Sequence, residues 1–295
     1  IGMNVNLYGA EGRWMMVDLG LTFADERLPG VDIILPDISF VAQERDKLDG
    51  LVLTHAHEDH LGAVPYLWPR LACPIWCVPF TAAVLKRKLD ESGIKRRVPI
   101  HVVQPGETFE VGRFVCRFVH MTHSIPEAAM LVIETPHGRV LHTGDWKLDP
   151  APQVGAVSEI EALQDVGKGG VLAMVADSTN IMSPGTSGSE AEVLESLSEL
   201  IAAQPYRVVL TTFASNVARL QTAMKAGQVA GREVALIGRS MHRMVAAAKD
   251  CGYLKDMPAL LDERDIMDLP RDRVMMICTG SQAEPRAAIA RIAAG

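Results

Sequence analysis

Short apolar runs, separated by Gly, Pro, Asp and Asn, mark the first half of the chain at strand length. Residues 4–8 and 13–19 flank Gly9-Ala10-Glu11-Gly12 and predict two strands joined by a tight turn. Residues 31–35, 50–54, 74–78, 100–104, 113–120, 129–134 and 140–143 read as further strands. Helical spacing is confined to 61–71 and 81–89. Strands therefore dominate to about residue 145, which predicts two packed sheets with helices outside them.

After residue 150 the rhythm changes. Residues 171–176 read as a buried strand ending in Asp177-Ser178-Thr179-Asn180, and a loop of Gly, Ser, Thr and Pro follows to Gly188. Ser189 with Glu192 makes a capping box for a helix to about residue 203. Strands at 207–212, 233–237 and 274–278 then alternate with helices at 216–229, 241–249 and 284–293, the pattern of βαβ units on a parallel sheet. The expected domains are residues 1–187 and a Rossmann-like residues 188–295.

One stretch breaks the apolar rule. Thr54-His55-Ala56-His57-Glu58-Asp59-His60 places three histidines and two carboxylates where the strand at 50–54 gives way to a helical segment. In an extended run, His55, His57 and Asp59 share a face. A helical turn beginning near Asp59 would set its carboxylate by the positive helix end, with His60 beside the other three. Glu58 falls on the opposite side and is expected to be solvated. Imidazole nitrogen and carboxylate oxygen are zinc ligands. Four of them in six residues exceed what one tetrahedral ion with an open position needs, so two adjacent metals fit better. The helical i, i+4 histidine pair of zincin proteases is excluded, because His57 and His60 are three apart.

Composition narrows the class without choosing the chemistry. The chain has 295 residues, 48% of them hydrophobic, enough for a substantial core. Its formal charge of -7 argues mildly against a broad phosphate-tracking surface, though bound metals would offset part of it. The cations Lys86, Arg87, Lys88 and 95–97 read first as a solvated face. Five scattered cysteines, Cys73, Cys77, Cys116, Cys251 and Cys278, form no framework and suggest reduced thiols. No run approaches a membrane span and no leader pattern opens the chain, so the expected location is cytoplasmic. The opening Ile1 suggests that a natural N-terminus is missing.

His123, in Thr-His-Ser-Ile-Pro, and Asp145, in His-Thr-Gly-Asp-Trp-Lys, lie just after two more strands, where a scaffold presents chemistry. His55-x-His57-x-Asp59-His60 resembles the metallo-β-lactamase superfamily motif. Its flanks, with the His123 and Asp145 segments, Thr-Phe-Ala-Ser-Asn-Val-Ala-Arg, Thr-Gly-Ser-Gln-Ala-Glu-Pro and Asp177, resemble the ribonuclease J family of the β-CASP branch. That resemblance implies an α/β chain: a metallo-β-lactamase αββα sandwich with an inserted Rossmann-like β-CASP domain, incomplete here and cut at both ends. It implies two Zn2+ ions, with Mn2+ an alternative. His55, His57, His123 and Asp145 would hold one, and Asp59, His60 and Asp145 the other, with Asp145 bridging; by the same resemblance a final histidine of the second site and the pocket for the RNA 5′-phosphate belong to later segments, beyond Gly295. His120 and His142 are left as surrounding residues.

The implied activity is metal-dependent hydrolysis of RNA phosphodiesters, endonucleolytic or 5′-to-3′ exonucleolytic. Asp59 and His57 are the catalytic candidates. The expected partner is single-stranded RNA, 5′-monophosphorylated, with a homo-oligomer in the full-length protein and no membrane. Ser215 is the expected N-cap of its helix. The turns holding Ser215, Asn216, Gly280 and Ser281 read as ordinary caps or, by the resemblance, as phosphate contacts. A metallo-β-lactamase-fold hydrolase of a small ester or thioester, and a non-catalytic RNA-binding scaffold, are the alternative readings.

Overall fold

The computed structural model describes residues 2–94, 96–282 and 287–294. The expected basic residue Lys95 lies outside them, as does the start of the helix expected at 284–293. The chain forms two compact units. The first comprises Ile1–His123, Glu127–Leu148 and Ser158–Pro184; the second comprises Ser124–Pro126, Asp149–Val157 and Gly185–Gly295.

The first unit opens with β1 (Asn6–Ala10) and β2 (Arg13–Val17), joined by a two-residue turn in which Glu11 and Gly12 both take positive φ. That turn type matches the twist of an antiparallel pair. The strands β3 (Thr22–Phe23), β4 (Ile33–Ile34), β5 (Leu48–Val52), β6 (Ile75–Cys77) and β7 (Ile100–Val102) follow. So do β8 (Thr108–Val111), β9 (Phe114–His120), β10 (Ala129–Thr135), β11 (Gly138–His142) and β12 (Ala173–Val175). The helices are α1 (Ser39–Gln43), α2 (Glu58–Leu61), α3 (Val64–Leu71), α4 (Pro79–Ser92) and α5 (Ile160–Lys168).

Two five-stranded sheets result, ordered β1-β2-β5-β6-β7 and β12-β11-β10-β9-β8. Met15, Val17 and Val52 from one sheet pack with Phe114, Phe118, Leu131 and Ile133 from the other in one buried cluster. Each such side chain contributes about 1.5–3 kcal/mol by leaving water. The strand β5 lies at the centre of its sheet, so the loop after Val52 emerges from the middle of the sandwich edge. In the other sheet β10 runs antiparallel to both β9 and β11, so the loops after β9 and β11 leave at the same edge. Ala129, opening β10 there, donates its N–H to Thr54 O at 3.3 Å.

Two expectations change. The strand at 171–176 forms as β12, paired in parallel with β11, but is exposed rather than buried: Leu172 is 66% and Met174 64% accessible. An apolar run marks a strand without telling a central one from an edge one. The helix α5 fell in an unassigned stretch, yet Leu163 and Val166 join the apolar face against Val119 and Met130.

In the second unit β13 (Val208–Thr211), β14 (Glu233–Ile237), β15 (Leu260–Leu261) and β16 (Val274–Cys278) form a sheet ordered β13-β16-β14-β15, with every pair parallel. The helices α6 (Glu190–Ala202), α7 (Val217–Val229), α8 (Arg239–Asp250) and α9 (Ala288–Ala294) alternate with the strands as the βαβ rhythm requires. The Ser189/Glu192 capping box is present, and Asp149 accepts from Ser189 Oγ at 2.7 Å and Glu190 N at 3.0 Å.

Candidate metal centre

After Val52 the chain leaves the strand and bends at Ala56 to reach His57, whose φ of −77° and ψ of 155° place it as the residue preceding α2. Asp59 then lies in the first turn of that short helix. This explains why Asp59 does not join His55 and His57, as strict alternation would have it. The helical turn moves it to the side of His60. Glu58 departs from expectation too: it is half-buried and paired with Lys88 of α4 at 2.6 Å.

The α2 segment is clamped by outside donors. Leu19 N reaches His60 O at 2.7 Å, Leu21 N reaches Glu58 O at 3.0 Å, and Asn4 N reaches Asp59 O at 2.8 Å. These bonds satisfy carbonyls that so short a helix leaves open. The approach is so close that a Cβ on Gly20 would lie 1.7 Å from Asp59 O, so glycine is required there.

The six expected ligands come together. His55, His57, His123 and Asp145 form one group and Asp59, His60 and Asp145 another, the ligand atoms within each lying within 4.8 Å of one another. His55 Nε2 lies 3.0 Å from His57 Nδ1, and His123 Nε2 lies 3.2 Å from that same atom. Asp145 turns one oxygen to each group: Oδ1 is 3.2 Å from His60 Nε2 and Oδ2 is 3.9 Å from His123 Nε2.

This donor set fits a metal. A ring nitrogen has one proton or one lone pair in its plane, so His57 Nδ1 cannot form full hydrogen bonds with two imidazoles at once. Ligands about 2.0–2.1 Å from a tetrahedral ion are roughly 3.3 Å apart, close to the spacings seen. The family implication of metal cofactors therefore agrees with the residues present.

Sequence reasoning missed the residue beneath the site. Asp18, near the end of the strand expected at 13–19, is fully buried, with φ of 62°. It accepts from Thr54 N at 2.8 Å, Thr54 Oγ1 at 2.9 Å and His60 Nδ1 at 2.7 Å. A proton held on Nδ1 leaves the Nε2 lone pair facing the site, as carboxylates behind metal-bound histidines do. The available signal was a lone acid closing an apolar strand in Met-Val-Asp-Leu-Gly.

Electrostatics divides the two groups. Burial first, then the neighbouring His60, His57 and His123, holds His55 well below its ordinary value, and burial likewise lowers His123. Burial also acts against a charged His60, but Asp18 and Asp145 outweigh it and push that imidazole up to about 10. Burial raises Asp59, reinforced by the charge of Asp145. Asp145 itself is lowered, because contact with His60 overcomes burial. His142 donates to or accepts from Tyr8 Oη at 2.8 Å through Nδ1 and belongs to neither group.

The four expected phosphate contacts lie in the second unit. Asn216, not Ser215, caps α7: its Oδ1 accepts from Arg219 N at 2.8 Å, because the helix starts one residue later than expected. Gly280 has φ of 125°, and a Cβ there would meet Ile289 of α9. Ser281 is exposed. All four follow the carboxyl ends of β13 and β16, which are neighbours in parallel register through Thr211 and Cys278.

Residues 3–210 match the family model described as the metallo-beta-lactamase superfamily, and the chain belongs to that superfamily. The sandwich and the paired His/Asp groups at its edge are the features expected of such a member. Within the superfamily the resemblance to ribonuclease J holds, since residues 205–295 match the model described as Ribonuclease J, beta-CASP domain. The chain is 46% identical to Ribonuclease J of Sinorhizobium meliloti over 297 residues, covering 99% of this chain and 53% of that protein. It is 38% identical to Ribonuclease J of Thermus thermophilus over 300 residues, covering 99% and 52%. The chain thus spans about half the length of the curated relatives it matches. Among solved structures, a protein of unknown function from Enterococcus faecalis V583 shares the fold, with a TM-score of 0.65 and 18% identity over 94% of this chain and 74% of that one.

Proposed function

We propose that this chain carries the metal centre of a ribonuclease that hydrolyses RNA phosphodiester bonds. The observation that carries the reading is the convergence of six side chains into two ligand groups sharing Asp145, in a chain whose remaining length matches a ribonuclease J β-CASP domain. That match disfavours a small-ester hydrolase, and the convergence of six donor side chains disfavours an inert scaffold.

His55, His57, His123 and Asp145 would hold one ion and Asp59, His60 and Asp145 the second. Zinc is the proposed metal, with manganese the alternative at the oxygen-richer group. Bound there, the pair supplies Lewis acidity and an activated water for attack on phosphorus. The protein's own part is placement and proton handling. Asp59, which would also ligate the second ion, is suited to orient the attacking water. Asp18 and Thr54 hold His60 and His55 in register, and His57 joins its two imidazole neighbours at the reacting face.

Single-stranded RNA with a 5′-monophosphate is the proposed substrate, in endonucleolytic or 5′-to-3′ mode. Residues near Ser215, Asn216, Gly280 and Ser281 are offered as phosphate contacts, weighed against the capping that Asn216 already performs. The domains are proposed to divide at 187/188. Among the described residues no helix is long and apolar enough to cross a membrane; a cytoplasmic homo-oligomer is the proposed state.

The test is cleavage by the protein in the length its gene encodes. Matched 5′-monophosphorylated RNA and DNA are offered, with chelated and Asp59→Ala controls. RNA-selective cleavage lost in both controls is expected. A metal-loaded protein that cleaves neither polymer would overturn the reading.

A further inference from the structure

We propose that Asn4 supplies a further ligand to the second ion, donating its side-chain amide oxygen alongside Asp59, His60 and Asp145. The inference rests on the metal-centre reading above and concerns a neutral amide outside the His/Asp motifs.

His60 presents one free nitrogen to the second group. Its Nδ1 is engaged by Asp18 at 2.7 Å, so Nε2 is the nitrogen left for an ion. Three side-chain groups surround Nε2: the Asn4 amide at 3.0 Å, Asp145 Oδ1 at 3.2 Å and Asp59 Oδ2 at 3.7 Å. Edges between ligands run from about 2.9 Å in an octahedron to about 3.4 Å in a tetrahedron when each lies about 2.0–2.1 Å from the ion. The amide therefore sits at ligand spacing.

With the Asn4 amide nitrogen inward, 3.0 Å from Nε2, these contacts conflict as hydrogen bonds. If Nε2 carries a proton for Asp145, it cannot accept from the Asn4 NH2 group. If it offers a lone pair to Asn4, the Asp145 carboxylate faces that lone pair unpaired. A half-turn about the last side-chain torsion exchanges the amide's oxygen and nitrogen. With the oxygen inward, a cation satisfies all four atoms together: one imidazole lone pair, two carboxylate oxygens and the amide oxygen.

The backbone holds Asn4 in place for this. Its N–H donates to Asp59 O at 2.8 Å and its carbonyl accepts from Gly20 N at 3.0 Å, so it is tied to the segment that carries Asp59 and His60. Asn4, Asp59, His60 and Asp145 line a common cleft of about 170 Å³, with Thr143 and Asp177 opposite, which leaves room for water or a phosphate oxygen.

The chemistry distinguishes the two ions. The first group offers three imidazoles and one carboxylate and suits zinc. The second, with Asn4, offers three oxygens and one imidazole and accepts a harder ion such as Mn2+ besides zinc. A neutral amide also adds coordination without adding negative charge against an incoming phosphate.

The test is metal binding, read without turnover. Metal-free protein, Asn4→Ala and Asn4→Asp are titrated with Mn2+ and, separately, Zn2+ by calorimetry, with bound metal counted after dialysis and folding checked by circular dichroism. In Asn4→Ala the tighter Mn2+ step, which belongs to the oxygen-richer second group, should loosen by about 10–100-fold, the scale of a lost supporting contact at a metal site, while the tighter Zn2+ step, at the first group, stays put. Asn4→Asp should tighten the Mn2+ step. If the alanine variant does not fold, the aspartate variant decides alone. Two bound metals in the unaltered protein with neither variant shifting the tighter Mn2+ step overturns the role of Asn4 and leaves the metal centre standing. No bound metal in the unaltered protein overturns both.

Discussion

The two ligand groups are built at one sandwich edge from neighbouring residues, yet they meet protons in opposite ways. His55 and His123 are imidazoles kept neutral by burial among other imidazoles. His60 lies between Asp18 and Asp145, whose charges outweigh burial and push its imidazole up to about 10. The first group is ready for a metal as folded. The second must release a proton to take one. The buried partner carboxylate makes the difference, and it also fixes the His60 tautomer so that the released proton comes from Nε2.

The largest effect is expected where the comparison collapses, at the shared residue. Asp145→Ala should empty both groups, and RNA cleavage should fall by more than about 10³-fold, beyond the cost of removing one electrostatic group from an active site; metal analysis with a turnover assay checks both. His57→Ala should separate them, with bound metal falling from two ions to one, counted by plasma emission after dialysis. A protein that still held two would break the assignment of His57 to a single group.

Asp18→Asn sharpens the contrast further. The asparagine keeps the shape but not the charge, so the second binding step should weaken by about 10–100-fold with the first unchanged. Calorimetric titration reads the two steps.

The pH dependence of stability should also differ in sign between the groups. His60 has a folded value near 10 against an ordinary 6.5, so its stabilisation of the metal-free fold is complete below pH 6.5 and is lost as pH rises through about 10. His55 is depressed, so its contribution is present above pH 6.5 and is lost as pH falls below that value. Denaturation of metal-free protein across pH 5 to 10 should show both arms, and bound metal should flatten them. A profile that rises towards pH 10 would contradict the His60 arm.

The smallest effect lies in the second unit. Asn216→Ala removes a helix cap and should cost about 1 kcal/mol of stability, with metal content unchanged. Loss of RNA affinity well beyond that destabilisation would show that Asn216 does more than cap its helix.

Much of the site was legible because metal chemistry is written in residue type and spacing. Three histidines and two acids in seven residues, with His123 and Asp145 after later strands, identify themselves without coordinates. Asp18 did not, because a single buried acid resembles any strand terminus until its three donors are seen. Asn4 stayed hidden for the same reason, fifty-six residues from its partner His60. In the fold, the parallel sheet followed from the alternation of strands and helices. The exposure of β12 did not, because position within a sheet depends on which strands pair. The cap of α7 shifted by one residue, from Ser215 to Asn216, since either side chain can close a helix and only the backbone decides between them.

The measurement that bears most directly on the account is anomalous scattering from crystals of the protein grown with zinc, collected on both sides of the zinc edge. Two peaks are predicted, roughly 3.5–4 Å apart as in paired metal sites, one among His55, His57 and His123, the other beside Asp59 and His60, with Asp145 reaching both. A single peak, or none at these residues in a protein that still cleaves RNA, would contradict it.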